Sequence, residues 1–157
     1  MGYDKNYLVK VFAERTRGNL EVIERIQPDF KITQLINSCL GLLVFPRKAC
    51  RDKIPKIPLD DLASNGWPIP SIEAGFQQAA NLRELILRLR NGIAHGQLKF
   101  YPDENNQIKY LRVRDKKWQV KMNVEDLWEF VIKFSDMLIR GDYCSRCSGC
   151  SQQESDW

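Results

Sequence analysis

The chain has one histidine, His95, among its 157 residues. That scarcity excludes most of the chemistry that leans on imidazole: there is no H-E-x-x-H, and there is also no P-loop and no G-x-G-x-x-G. Long apolar runs are missing too. The longest, Cys39 to Phe45, is far too short to span a bilayer. The opening Met1-Gly2-Tyr3-Asp4-Lys5-Asn6-Tyr7 lacks the apolar stretch of a secretory signal, so a soluble, cytoplasmic chain with no membrane partner is expected. Cysteine is present but odd in number. Five thiols, with Cys39 inside an apolar helical face, read as reduced side chains and not as a disulfide framework. Carboxylate clusters are equally sparse. Asp60-Asp61 lacks the further acids of a two-metal site and reads as a helix start or a turn.

What is present is enough for a core. Apolar residues make up 43% and include four tryptophans, which excludes a disordered chain, and the length suits one domain. The net charge of +4 says little, but its placement says more. Between Arg83 and Lys121 ten basic residues face four acidic ones, a local surplus of six around His95. A polyanion approaching one face fits this asymmetry, as does a solvated, lysine-rich hairpin edge.

Periodicity gives the elements. A long helix is expected over about Asp4–Gln27, with Tyr7, Leu8, Val11, Phe12, Leu20, Ile23 and Ile26 at helical spacing. Gly18 marks a kink or a close helix contact, and Pro28 the end. A second helix, about Thr33–Phe45, is apolar nearly all round and reads as the buried centre, stopped by Pro46. A proline-rich connector follows over 46–70, with one helical turn at Pro58–Leu62. A third helix is expected from the N-cap Ser71 through Ile93, closed by Gly96. The period then changes to that of strands at Leu98–Phe100, Ile108–Val113 and Trp118–Met122. Asn123 caps a final helix, Val124 to about Arg140. The expected architecture is mainly α: a bundle of four to five helices with a β-hairpin or small meander before the last helix. It occupies 1–140, with a flexible, cysteine-rich tail over 141–157.

The segment Leu85-Ile86-Leu87-Arg88-Leu89-Arg90-Asn91-Gly92-Ile93-Ala94-His95-Gly96 concentrates the chemistry. Cutting RNA needs a base for the 2′-hydroxyl, an acid for the leaving 5′-oxygen, and positive charge for the transition state. An imidazole moves protons near neutral pH, and a guanidinium holds two phosphate oxygens. One histidine does not easily serve as base and acid together; a symmetric dimer would supply a second copy. Five helical steps turn about 500°, so Arg90 and His95 do not share a face of an ideal helix. Gly92 and Gly96 leave room for a changed path. The alternative reading makes His95 a capping residue and Arg90 a surface or interface arginine.

Arg90-Asn91-Gly92-Ile93-Ala94-His95 resembles the R-x4-6-H motif of the HEPN superfamily, including the polar residue after the arginine. The segment Thr33–Pro46 is similar to one in short, plasmid- or mobile-element-borne bacterial HEPN nucleases. The resemblance implies a HEPN-like helical bundle, homodimerisation near the motif, and metal-independent endoribonuclease activity leaving 2′,3′-cyclic phosphate and 5′-hydroxyl ends. It implies catalytic roles for Arg90, Asn91 and His95 and no cofactor. Such a chain would be a toxin or anti-phage effector, with an antitoxin or a nucleotidyltransferase as a further partner. Lys99, Arg88, Arg112 and Arg114 are the candidates for attracting RNA. Gln34 and Asn37 are amides in an apolar helix: they bond a neighbouring helix, or they support Arg90 and His95. Two rivals stand beside the nuclease: a non-catalytic HEPN module that binds a nucleotide or partner protein, and a helical bundle that only dimerises. In the tail, Cys144, Cys147 and Cys150 give C-x2-C-x2-C, which lacks a fourth ligand unless Cys50 or a partner chain provides one. Loose thiols are the other reading, and no metal is assigned there.

Overall fold

The structure is a computed structural model that describes residues 5–50 and 54–141. The C-x2-C-x2-C thiols lie outside the described residues. Among the described residues, five α-helices and four strands follow in the order α1 (Lys5–Ile26), a short 3-10 turn (Pro28–Phe30), α2 (Lys31–Cys50), α3 (Leu59–Ser64), β1 (Ser71–Ile72), α4 (Leu82–Ala94), β2 (Leu98–Pro102), β3 (Ile108–Asp115), β4 (Trp118–Asn123) and α5 (Val124–Arg140). The chain is thus mainly helical, with a small antiparallel sheet. No helix among the described residues is long and apolar enough to cross a membrane.

The buried stripe of α1 is Val9, Ala13, Thr16 and Leu20, at steps of three and four residues. Tyr7, Leu8 and Ile26, expected on that stripe, are exposed. Gly18 does not interrupt α1, and it marks no close contact, since a Cβ there would meet nothing within 4 Å. The close approach lies at Gly41 of α2, where a Cβ would stand 2.6 Å from the Phe12 ring. α2 buries Leu35, Ser38, Cys39, Leu42 and Leu43 but leaves Thr33 and Asn37 in water, so it is not enclosed all round. It also continues past Pro46 to Cys50. Proline removes one N–H rung, which weakens a helix without obligatorily ending it. Burial pushes the Cys39 thiol up to about 12, so it behaves as a core apolar group.

Two ion-pair sets tie the helices. Arg17 of α1 pairs with Asp136 of α5. Lys31, at the start of α2, reaches Glu24 of α1 and Glu125 of α5, each at 3.0 Å, and lies 4.6 Å from the Trp128 ring centroid. Burial works against the Lys31 charge, but these two carboxylates outweigh it and hold its pKa above the ordinary lysine value.

The stretch 71–93 is not one helix. Ser71 is not a cap: Ser71–Ile72 pairs with Lys121–Val120 as the edge strand β1. Residues 73–80 then loop through Gly75, whose φ of +85° suits glycine. The helix begins at Asn81, whose Oδ1 accepts the Glu84 N–H at 3.1 Å. The Glu84 carboxylate in turn accepts the Ala80 N–H at 2.8 Å. That backbone bond, helped by Arg88 and opposed by burial, holds the Glu84 carboxyl below its ordinary value. Replacing such a cap costs about 1 kcal/mol. Asn81→Ala should therefore lower the melting temperature by about 2–4 °C, which a calorimetric scan would read; an unchanged midpoint would mean that packing alone starts α4.

The sheet order is β1-β4-β3-β2, so the expected meander of β2, β3 and β4 gains one edge strand. Leu111, Val113, Trp118, Val120 and Met122 alternate onto its buried face, against α4 and α5. α5 starts at the expected cap, with Asn123 Oδ1 accepting the Glu125 N–H at 2.8 Å, and ends at Gly141 in the left-handed region.

Candidate functional site

The site forms where α4 ends on β3. Gly92 is enclosed: a Cβ would lie 2.4 Å from Val113 Cγ1 and 2.8 Å from the Arg114 carbonyl oxygen. Only a residue without a side chain lets the helix lie that close to the strand. The helix then stops in a Schellman motif. The Gln97 N–H donates to the Gly92 carbonyl at 2.8 Å, the Gly96 N–H donates to Ile93 at 3.1 Å, and Gly96 takes a φ of +65°. Gln97 accepts the Arg114 N–H at 3.1 Å, which stitches the helix end to β3.

These constraints solve the spacing problem posed by the sequence. His95 is the C-cap residue, at φ −95° and ψ 9°, so it lies beyond the last helical residue. Its exposed side chain and the half-buried Arg90 line the same open cleft, of about 470 Å3, together with Asn91, Gln97, Arg114, Asp115 and Lys116. Arg90 Nη1 donates to Asn91 Oδ1 at 2.6 Å, and Asn91 Nδ2 donates to Asp115 Oδ2 at 3.2 Å. The amide is therefore oriented from both sides, with its oxygen towards the guanidinium and its NH2 towards the carboxylate. The Arg90 Nε is buried, which restricts the guanidinium to its outer nitrogens for any ligand in the cleft. Lys116 sits at the β3–β4 hairpin tip with a φ of +50°. That left-handed backbone is costly for lysine, and strained positions of this kind cluster at functional sites.

Arg90, Arg114 and Lys116 give the cleft three cations against the single carboxylate of Asp115. Such a site attracts an anion, and a guanidinium fork suits phosphate. Beside it stands the exposed imidazole of His95, a side chain able to act as a general base or acid. Among the described residues, no three of His, Cys, Asp and Glu converge in a metal-binding cluster.

Of the residues singled out in the sequence, Arg90, Asn91, His95 and Arg114 meet in the cleft. Lys99 and Arg112 line an adjoining groove that shares Gln97 and Arg114 with it. Arg88 does not line the cleft; its guanidinium is held by Glu84 one turn earlier, at 2.5 Å. Gln34 and Asn37 do not line it either. Gln34 donates to Ser38 Oγ at 3.5 Å and Asn37 is exposed on α2. The sequence reading left out Gln97, Asp115 and Lys116. Asp115 carries no local signal, because its partner Asn91 is 24 residues away and the two meet only through the α4–β3 contact.

A family model described as HEPN pEK499 p136 matches residues 1–142. No curated protein and no solved structure matches the chain.

Proposed function

The chain belongs to the HEPN pEK499 p136 family, and from that premise we propose that it is an endoribonuclease, working as a toxin or anti-phage effector through the Arg90–His95 cleft. The observation that carries this reading is the shared cleft itself: an oriented guanidinium and an exposed imidazole beside two further cations. Arg90 binds the scissile phosphate and stabilises the charge that builds on its oxygens. His95 removes the proton of the 2′-hydroxyl, whose oxygen attacks the adjacent phosphorus. The bond to the 5′-oxygen breaks, leaving a 2′,3′-cyclic phosphate, and that oxygen takes up a proton. In a homodimer whose axis lies near this cleft, the partner subunit's His95 donates that proton, so one histidine per chain suffices. Asn91 holds the Arg90 fork, and Asp115 holds Asn91.

The test is expression of the wild-type chain against His95→Ala, with cleavage of RNA in EDTA as the biochemical readout. Growth arrest and cutting that both vanish in the variant are expected. Cutting that starts only when Mg2+ is added, or that is equal on DNA, contradicts the proposed 2′-hydroxyl chemistry. Tight binding of RNA without turnover favours a non-catalytic module of the same family.

Asp115 is a positioning residue and offers a second check. Asp115→Leu removes the acceptor for Asn91 and should lower cleavage by up to about 10²-fold, the scale of a small misplacement of a catalytic group. Asp115→Asn keeps an oxygen acceptor and should restore most of the rate at an unchanged melting temperature. Equal losses in both variants would contradict the positioning role.

A further inference from the structure

We infer that the outer face of the sheet is a platform for single-stranded RNA that leads into the Arg90–His95 cleft; the identity of the polymer as RNA rests on the ribonuclease reading above. Strand alternation turns Leu111, Val113, Val120 and Met122 inward. It therefore turns Lys99, Tyr101, Tyr110, Arg112 and Lys121 outward. The register sets Lys99 opposite Arg112 and Arg112 opposite Lys121, three cations side by side across three neighbouring strands. Like charges directly opposite one another destabilise a sheet. Glu73 relieves only Arg112, at 2.9 Å, and its carboxylate also accepts from Gln119. Lys99 and Lys121 pair with no carboxylate among the described residues. Fold stability thus works against this row, and an anionic ligand would reverse the penalty.

Aromatic rings stand beside the cations. Tyr101 is opposite Tyr110 in the register. The Arg112 guanidinium lies 5.2 Å from the Tyr101 ring centroid, and Lys121 Nζ lies 4.4 Å from that of Tyr110. Unpaired bases stack on aromatic rings and guanidinium planes, while the phosphates between them meet the cations. A duplex hides its base faces, and an acidic protein has no use for the rings. The combination therefore selects a single strand.

The face is also continuous with the cleft. The groove beside Lys99 and Arg112 shares Gln97 and Arg114 with it. At the far end, Tyr110, Lys121 and Asn123 border a second hollow of about 260 Å3. From Arg114 to Tyr110 the strand advances about 13 Å, room for a strand to cross the cation row before its scissile phosphate reaches Arg90.

The experiment measures affinity of the full chain for a fluorescent 2′-O-methyl oligonucleotide, free and annealed to its complement, across a salt series. The blocked 2′-oxygen separates binding from cutting. Wild type should prefer the single strand. Lys99→Ala with Lys121→Ala should weaken binding and flatten the log–log salt slope by about 1.4, at ~0.7 per lost phosphate contact. Tyr110→Leu should weaken it by about 5- to 150-fold with the slope unchanged, and Tyr110→Phe, which keeps the ring, should bind like wild type. A preference for the duplex, or losses in the lysine variant with none in Tyr110→Leu, overturns the platform. A chain that cuts RNA yet binds this strand equally well in every variant overturns the platform and leaves the nuclease standing. A chain that binds as expected but never cuts RNA overturns the nuclease and leaves the platform standing.

Discussion

His95→Ala is expected to remove RNA cleavage by about 10²–10⁴-fold, the usual contribution of a general acid or base, while the chain keeps its fold. The fold should survive because His95 serves α4 through its backbone: its N–H donates to Asn91 at 3.0 Å and its φ of −95° suits alanine. Its side chain is exposed and makes no hydrogen bond or ion pair with the described residues. Arg90→Ala should lose as much rate and also weaken RNA binding, because the charged fork that meets the phosphate is gone. Arg90→Lys should not rescue it: an ammonium lacks the planar fork that grips two phosphate oxygens and accommodates Asn91 at 2.6 Å. Rates measured beside circular dichroism and sedimentation would separate chemistry from folding. Full activity in either alanine variant would remove these residues from the reaction. Mixed dimers of Arg90→Ala with His95→Ala add the geometry, since a composite site makes activity depend on which intact residues meet across the axis.

Gly92→Ala tests the architecture behind the site, and two forces oppose each other there. By helix propensity alone, alanine in place of a helical glycine stabilises by about 1 kcal/mol. The new methyl, however, would stand 2.4 Å from Val113 Cγ1 and 2.8 Å from a backbone oxygen that cannot swing aside. Overpacking of this kind costs about 1–3 kcal/mol. The contact should win, because relieving it means lifting α4 from β3. The melting temperature should fall, and the Asn91–Asp115 bond, already 3.2 Å, should stretch. Cleavage should drop with it, on the ~10²-fold scale of a misplaced catalytic group. A variant more stable than wild type and fully active would mean that helix and strand are not in close contact at Gly92.

Much of this fold was legible because local chemistry set it. Asn123 before an amphipathic run, the alternation over β3 and β4, and Gly96 after the last apolar turn each act within a few residues, and each appears where the pattern placed it. What misled were segments whose local pattern was overridden. Ile72, Phe76 and Ala79 keep helical spacing with α4, yet Ser71–Ile72 is claimed by hydrogen bonds to β4, and the Asn81–Glu84 cap sets the true start. Pro46 carries a stop signal that α2 overrides. The candidate site divides in the same way. Arg90, Asn91 and His95 are close in sequence and were visible as a motif. Gln97, two residues past His95, is neutral and carried no chemical signal; Asp115 and Lys116 reach the site only because Gly92 lets a helix settle on a strand, and that contact leaves no trace in spacing or composition.

The nature of the RNA ends tests the account most directly. RNA incubated in EDTA with the purified chain, beside His95→Ala, would be digested and its new termini identified by mass spectrometry. The expected result is 2′,3′-cyclic phosphate paired with 5′-hydroxyl ends in the wild-type reaction and none in the variant. Ends with a 3′-hydroxyl and 5′-phosphate, or cleavage no greater than that of His95→Ala, would contradict it.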